Sequence, residues 1–88
     1  MSTEIEYSVV LEPQEGGGFT VVVPALPEVV TEGDSEEQAL QMVKEAIRAV
    51  LDYRRDHGMP IASDVLPEVR QIRVAAAGLS IEEFGDLI

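Results

Sequence analysis

Apolar and polar positions change their period along the chain, and the changes divide it into elements. From Glu4 to Glu12 they alternate, with Ile5, Tyr7 and Val9 on one side and Glu4, Glu6 and Ser8 on the other. A period of two sends successive side chains to opposite faces, so this stretch predicts a first strand. Pro13-Gln14-Glu15-Gly16-Gly17-Gly18 predicts a turn, because glycine accepts positive φ without strain. Phe19-Thr20-Val21-Val22-Val23 predicts a second strand that completes a hairpin and stops at Pro24. Pro24 and Pro27 hold an extended, irregular connection. Glu28-Val29-Val30-Thr31-Glu32 predicts a short third strand.

The period then lengthens to that of a helix. Ala39, Leu40, Val43, Ile47, Val50 and Leu51 recur at three- and four-residue steps, with Arg54 in line behind them. This spacing lays one stripe along one face. Ser35 reads as the N-cap, with Gln38 three residues on in the capping-box pattern. Glu36 and Glu37 fall in the first turn, where the helix dipole favours carboxylates. Gly58 is a left-handed stop and Pro60 bars continuation. After a loop, Glu68 to Ala75 predicts a fourth strand, in which Val69/Arg70 and Ile72/Arg73 break strict alternation and allow a bulge. Ser80 and Glu83 repeat the capping-box pattern in a tail too short to be a stable helix alone.

The predicted order is β-β-β-α-β, an α+β fold in which an antiparallel-type sheet carries one long helix on one face and a short C-terminal helical tail follows. Residues 1–78 form the domain and residues 79–88 the tail. The helix stripe of Leu40, Val43, Ile47, Val50 and Leu51 is expected to face a sheet containing Tyr7 or Val9, Val21 and Ile72.

Size bears on assembly. A chain of 88 residues makes one domain and buries about 60–65% of its unfolded surface, a thin margin that self-association commonly relieves. A small sheet also leaves edges that invite pairing with another chain. A homodimer or a dimer of dimers is therefore expected, with Val69, Ile72, Ile81 and Phe84 at its contacts. With no cysteine, disulfides and thiolate metal sites are excluded. No apolar run reaches the length of a membrane span, and Met1-Ser2-Thr3-Glu4 lacks a signal peptide's basic start, so a cytoplasmic location and no membrane contact are expected.

The formal net charge is -11, and its placement is uneven: residues 1–43 contain no Lys or Arg. Such a surface repels phosphate backbones and suits a basic partner, although charge of this sign also serves solubility alone. Direct nucleic-acid binding is not expected, since aromatic residues are few and neither a helix-turn-helix pair nor a basic arm is visible.

Catalytic groups are scarce. The single histidine, His57, has only Asp56 beside it in sequence and stands at a helix end, where capping free carbonyls accounts for it. Asp34, Glu36 and Glu37 resemble a magnesium set in composition, yet residues at a helix start splay around the axis. Ser8, Ser35, Ser63 and Ser80 have no neighbouring base, so a serine nucleophile would need partners assembled in space. The three glycines lie between strands and lack the Lys-Ser/Thr ending of a phosphate loop. No catalytic residue, metal ligand or cofactor site is expected.

Several short motifs occur together in order: Tyr7-x-Val9-x-x-Glu12, Gly17-Gly18-Phe19-x-Val21, Val23-Pro24-x-Leu26-Pro27, Thr31-x-Gly33-Asp34-Ser35-x-Glu37-x-Ala39, Glu45-Ala46-Ile47 and Gly58-x-Pro60. In this order and spacing they resemble the HicB-like antitoxin family over about residues 7–61. The resemblance implies a partial ribonuclease-H-like sheet with one helix, in the order β-β-β-α-β. It implies no ribonuclease activity, because the acidic metal cluster of that fold is not kept. It also implies a partner: family members with known partners inhibit HicA, a small ribonuclease toxin that uses a histidine. The chain would then cover the RNA-binding face of a small basic HicA-like toxin, with Glu12, Glu15, Glu28 and Glu32 as the expected toxin contacts. The chain departs from the family at Glu28-Val29, where Gly-Cys is common. It also ends twelve residues after Ala76, too soon for the helix-turn-helix or ribbon-helix-helix module that many members append, so no operator binding is expected. The alternative is a self-associating structural or regulatory protein-interaction module with another partner; a hydrolase using the carboxylates is a third.

Overall fold

The computed structural model describes residues 4–78. Its first device is the glycine turn. Gly16, Gly17 and Gly18 adopt φ of 87°, 106° and 84°, and the Gln14 N–H donates to the Gly18 carbonyl at 3.0 Å. This folds strand β1, Val10–Pro13, onto β2, Phe19–Val22, and β2 then pairs with β3, Val30–Gly33. The three strands form one antiparallel sheet in the order β1-β2-β3.

Helix α1, Glu36–Asp56, follows at once. Its N-cap works as the spacing predicts, with the Ser35 Oγ accepting from the Gln38 N–H at 3.1 Å. The return bond comes from one residue earlier, since the Gln38 side-chain oxygen accepts from the Asp34 N–H at 2.6 Å. At the other end Gly58 turns left-handed at φ 67°. The Gly58 N–H then reaches the Arg55 carbonyl at 3.2 Å and the Met59 N–H the Arg54 carbonyl at 2.8 Å, the paired bonds of a Schellman stop.

The helix lies on one face of the sheet, giving an α+β fold. Its closest approach is at Gly33, where an added Cβ would stand 2.4 Å from the Ala39 nitrogen. The small residues of the stripe therefore go deepest: Ala39 and Val43 are buried with Val21, Val23, Leu26 and Val29, and Ala46, Ile47 and Val50 pack against them half-buried. The connection between Pro24 and Pro27 is ordered by its own bonds, Leu26 N–H to the Val23 carbonyl and Val29 N–H to the Leu26 carbonyl, both at 2.9 Å. These carry Leu26 fully into the core.

Three expectations are corrected. The first strand pairs only from Val10 onward, because β2 ends at Val22 and Pro24 then turns the chain away. Leu40 is not under the helix but at its flank, 36% exposed. The fourth strand is not formed: residues 59–78 contain no helix or strand among the described residues. There Val69, Ile72 and Val74 are 81%, 84% and 77% exposed, and Ile72 has no place in the core. An extended segment becomes a strand only when another strand supplies its hydrogen bonds, and here the chain leaves the sheet before meeting one. It is held at residues 7 and 8, where the Tyr7 hydroxyl donates to the Ala62 carbonyl at 2.6 Å and the Ser8 N–H to Asp64 Oδ1 at 2.8 Å. Beyond Asp64 it runs out as an arm.

Candidate functional site

The sheet has a second face, and strand register fixes what it carries. Val10 pairs with Val22, and Val22 with Val30; Glu12 pairs with Thr20, and Thr20 with Glu32. Directly paired residues project from the same face. The alternate positions Leu11, Val21 and Thr31 point to the helix, and Val21 is fully buried there. The valine row and the glutamate row therefore share the opposite face, which no described element covers. Val30, 58% exposed, is its most open apolar residue.

Neighbouring strands lie about 4.8 Å apart, so the carboxylates of Glu12 and Glu32 rise from strands roughly 10 Å apart with Thr20 between them. Neither forms an ion pair among the described residues. An acid row beside an apolar row can meet a surface that is basic and partly apolar, with the valines supplying dry contact and the carboxylates setting sign and register.

The four acids singled out from the sequence have different fates. Glu12 and Glu32 are brought together across Thr20. Glu15 is exposed in the glycine turn that follows β1. Glu28 is already engaged, with its carboxylate accepting from Arg54 at 2.8 Å. The hydrogen bond from the Arg54 side chain holds the Glu28 carboxyl below the usual carboxylate range. Arg54, whose side chain is only 17% exposed, gains its counter-charge in this way. The valine row and Thr20 are the part of the face that sequence reasoning passed over. Their signal was the alternation inside Phe19 to Val23, which sends Thr20 and Val22 away from Val21.

Among the described residues, the candidate catalytic side chains lie away from this face or are already engaged. His57 lies at the helix end, where its Nδ1–H donates to the Tyr53 carbonyl at 2.8 Å and its ring stacks on Tyr53 with centroids 3.9 Å apart. Ser35 is the cap, and the Ser8 hydroxyl donates to Asp64 at 2.9 Å. Among the described residues no group of three or more His, Cys, Asp or Glu side chains is placed to hold a metal ion. No helix among them is long and apolar enough to cross a membrane. Of the expected self-association contacts, Val69 and Ile72 stand exposed on the arm, and Ile81 and Phe84 lie outside the described residues.

Residues 7–77 match the family described as the HicB-like antitoxin of bacterial toxin-antitoxin systems. A UPF0150 protein of Thermoplasma acidophilum is 37% identical over 65 residues, covering 74% of this chain and 94% of the relative. The protein named Antitoxin HicB 1 of Photorhabdus laumondii is 41% identical over 49 residues, 56% of this chain and 32% of that longer relative. A UPF0150 protein of Archaeoglobus fulgidus is 33% identical over 52 residues, 59% of this chain and 75% of the relative. No solved structure matches. With its motifs, its fold and a match over most of its length in agreement, the chain belongs to the HicB-like antitoxin family.

Proposed function

We propose that this chain is the antitoxin of a toxin-antitoxin pair. In this reading it neutralises a small basic HicA-type ribonuclease by covering the surface with which that toxin holds RNA. Family membership and relatives named Antitoxin HicB support the antitoxin role. The observation that carries the mechanism is the uncovered sheet face, where Glu12 and Glu32 flank Thr20 beside the row Val10, Val22 and Val30. Carboxylates arranged this way compete with RNA phosphates for the same cations, and the valines exclude water from the contact. Glu15 extends the acidic rim, whereas Glu28 is committed to Arg54. Inhibition by occlusion requires no turnover, so the protein acts as a binding protein and not as an enzyme, in the cytoplasm where the RNA is. As a homodimer or a dimer of dimers it would present the face more than once.

The test is co-expression with a small basic HicA-type toxin. The wild-type chain should restore growth and co-purify with that protein. Reversing both charges, Glu12→Lys with Glu32→Lys, should weaken the complex by about two orders of magnitude, as for close interfacial charge pairs, and return the growth arrest. Glu45→Lys, on an exposed position of the helix away from the sheet, should protect like wild type. Full protection by the double reversal would remove the sheet face from the mechanism, and failure of the wild-type chain to bind would remove the toxin.

A further inference from the structure

Strand β3 and the residue before it alternate between two faces, and most of their positions are dictated by what they meet. Val29, which leads into the strand, is buried in the core. Gly33 faces the helix, where an added Cβ would strike Ala39. Glu32 faces away, since an unpaired carboxylate under the helix would lose its water. The strand cannot slip to suit the two positions that remain. A slip of one residue turns every side chain to the other face, and it would carry Glu32 under the helix and Gly33 away from Ala39.

The two that remain, Val30 and Thr31, stand the wrong way round for stability. Val30 faces out, 58% exposed. Thr31 faces the helix beside fully buried Val21, and its hydroxyl oxygen is buried with no hydrogen-bond partner among the described residues. A buried hydroxyl without a partner costs stability, and a valine left in water forgoes burial. Both side chains are β-branched and nearly equal in size, so either suits a strand at either place. Exchanging them would meet both demands and leave the mass and charge of the chain unchanged. Departures from the local rule of this kind are expected at functional sites.

One exposed valine is ordinary on a protein surface, but Val30 is not isolated. It ends the row Val10, Val22 and Val30 at the side of the sheet. Two residues further along the strands, about 7 Å away, the row Glu12, Thr20 and Glu32 runs beside it. Neither carboxylate has an ion pair among the described residues. The Gln14 side chain donates to the Glu12 backbone carbonyl at 3.1 Å and not to its carboxylate.

We infer, resting on the antitoxin reading given above, that Val30 is the apolar anchor of the toxin contact and that the inverted pair Val30 and Thr31 serves it. The partner that fits presents one aliphatic or aromatic side chain to Val30 and Val22. About 7 Å beyond, it presents two cationic side chains roughly 10 Å apart, one for each glutamate. The carboxylates draw a basic partner in and set its register, and the valine, dried by the contact, holds it there. A second copy of this chain does not match the face. Residues 1–43 contain no Lys or Arg, so a copy meeting it face to face would bring carboxylates and no cation.

The test uses three variants of the full chain: Val30→Thr, Thr31→Val, and the exchange that carries both. Each is measured for stability by urea denaturation and for binding to a small basic HicA-type toxin by surface plasmon resonance. The two readouts should separate by position. Thr31→Val should raise the urea midpoint and leave binding unchanged. Val30→Thr should leave the midpoint nearly unchanged and weaken the complex about tenfold or more, as loss of an anchor does. The exchange should be at least as stable as wild type and bind about tenfold worse. The loss should lie in faster dissociation, with the association rate and its salt dependence kept, because both glutamates remain. Wild-type binding by Val30→Thr, or loss of binding by Thr31→Val alone, would overturn the assignment. A lower midpoint for Thr31→Val would show that the hydroxyl is bonded in place and would overturn the inversion on which the assignment stands. A toxin that fails to bind the wild-type chain would remove the antitoxin reading and the anchor with it. A toxin that binds wild type and all three variants alike would remove the anchor alone. Light scattering in which wild type is a dimer and Val30→Thr a monomer would give the face to a second copy and overturn the assignment too.

Discussion

Val21, Val23 and Leu26 are fully buried, while Val69, Ile72 and Val74 stand in solvent. The residue types are nearly the same. Both segments are rich in β-branched side chains, and both are bounded by turn residues. They differ in what the neighbouring chain supplies. β2 lies between two strands and under a helix, so every apolar side chain pointing to the helix finds partners. The arm follows a helix whose Schellman stop and Tyr7–Ala62 contact fix where it starts but not what it lies against. Hydrophobic pattern therefore reports that a segment is able to pair; it does not report that a partner is present in the same chain.

This comparison is broken most directly by truncating one residue in each region. Leu26→Ala should lower stability by about 2–5 kcal/mol, the cost of a cavity in a packed core. Ile72→Ala, measured where the chain is monomeric, should change stability by less than about 0.5 kcal/mol, as at an exposed site. Urea denaturation followed by circular dichroism reads both. Equal losses would mean that the arm is part of the monomer's core.

A sharper version compares two glycines within the body. Gly33→Ala would drive its Cβ to 2.4 Å from the Ala39 nitrogen, with backbone and not a flexible side chain in the way. The helix must move outward, at a cost of about 1–3 kcal/mol or more from overpacking. Gly58→Ala meets nothing within 4 Å and loses only the freedom to hold φ at 67°, about 1 kcal/mol. If the two substitutions cost the same, helix-to-sheet contact at Gly33 is not what sets the depth of Ala39.

The legible parts of the fold are those whose cause is local. Ser35 and Gln38 cap each other's turn, and Gly58 stops the helix two residues before a proline, so α1 could be bounded from neighbouring residues alone. The same holds for the glycine turn. Leu40 was misplaced because a stripe of this width has a centre and a flank, and the close approach at Gly33 puts Ala39 and Val43 at the centre. Leu26 was passed over because it carries no period: it sits in an irregular loop, and only its bonds to Val23 and Val29 turn it inward. The acidic character of the candidate site was legible as charge, but its geometry was not. Glu12 and Glu32 become neighbours across Thr20 only through the register of two strand pairs. Glu28 is withdrawn by Arg54, twenty-six positions away.

The smallest expected effect tests where body ends and arm begins. Asp64 accepts from the Ser8 N–H at 2.8 Å and from the Ser8 hydroxyl at 2.9 Å. The backbone N–H first, then the hydroxyl, hold the Asp64 carboxyl below its ordinary range. Its folded value is therefore lower than its unfolded one. The contribution is fully present above the unfolded value and is lost as pH falls through the folded value. The arm's root is thus gripped at neutral pH and released in acid, at a pH below that at which a free aspartate titrates. Glu28, depressed by Arg54, loses its contribution in the same direction, so a global unfolding curve mixes the two. The Ser8 amide separates them, because its proton shift reads the bond to Asp64 directly. A titration by NMR should show one step at Ser8 with that depressed midpoint. Asp64→Asn should abolish the step while leaving the acid-induced change at Arg54 in place. A Ser8 step that survives Asp64→Asn would mean that the root is held by something other than this carboxylate, and that the boundary between body and arm lies elsewhere.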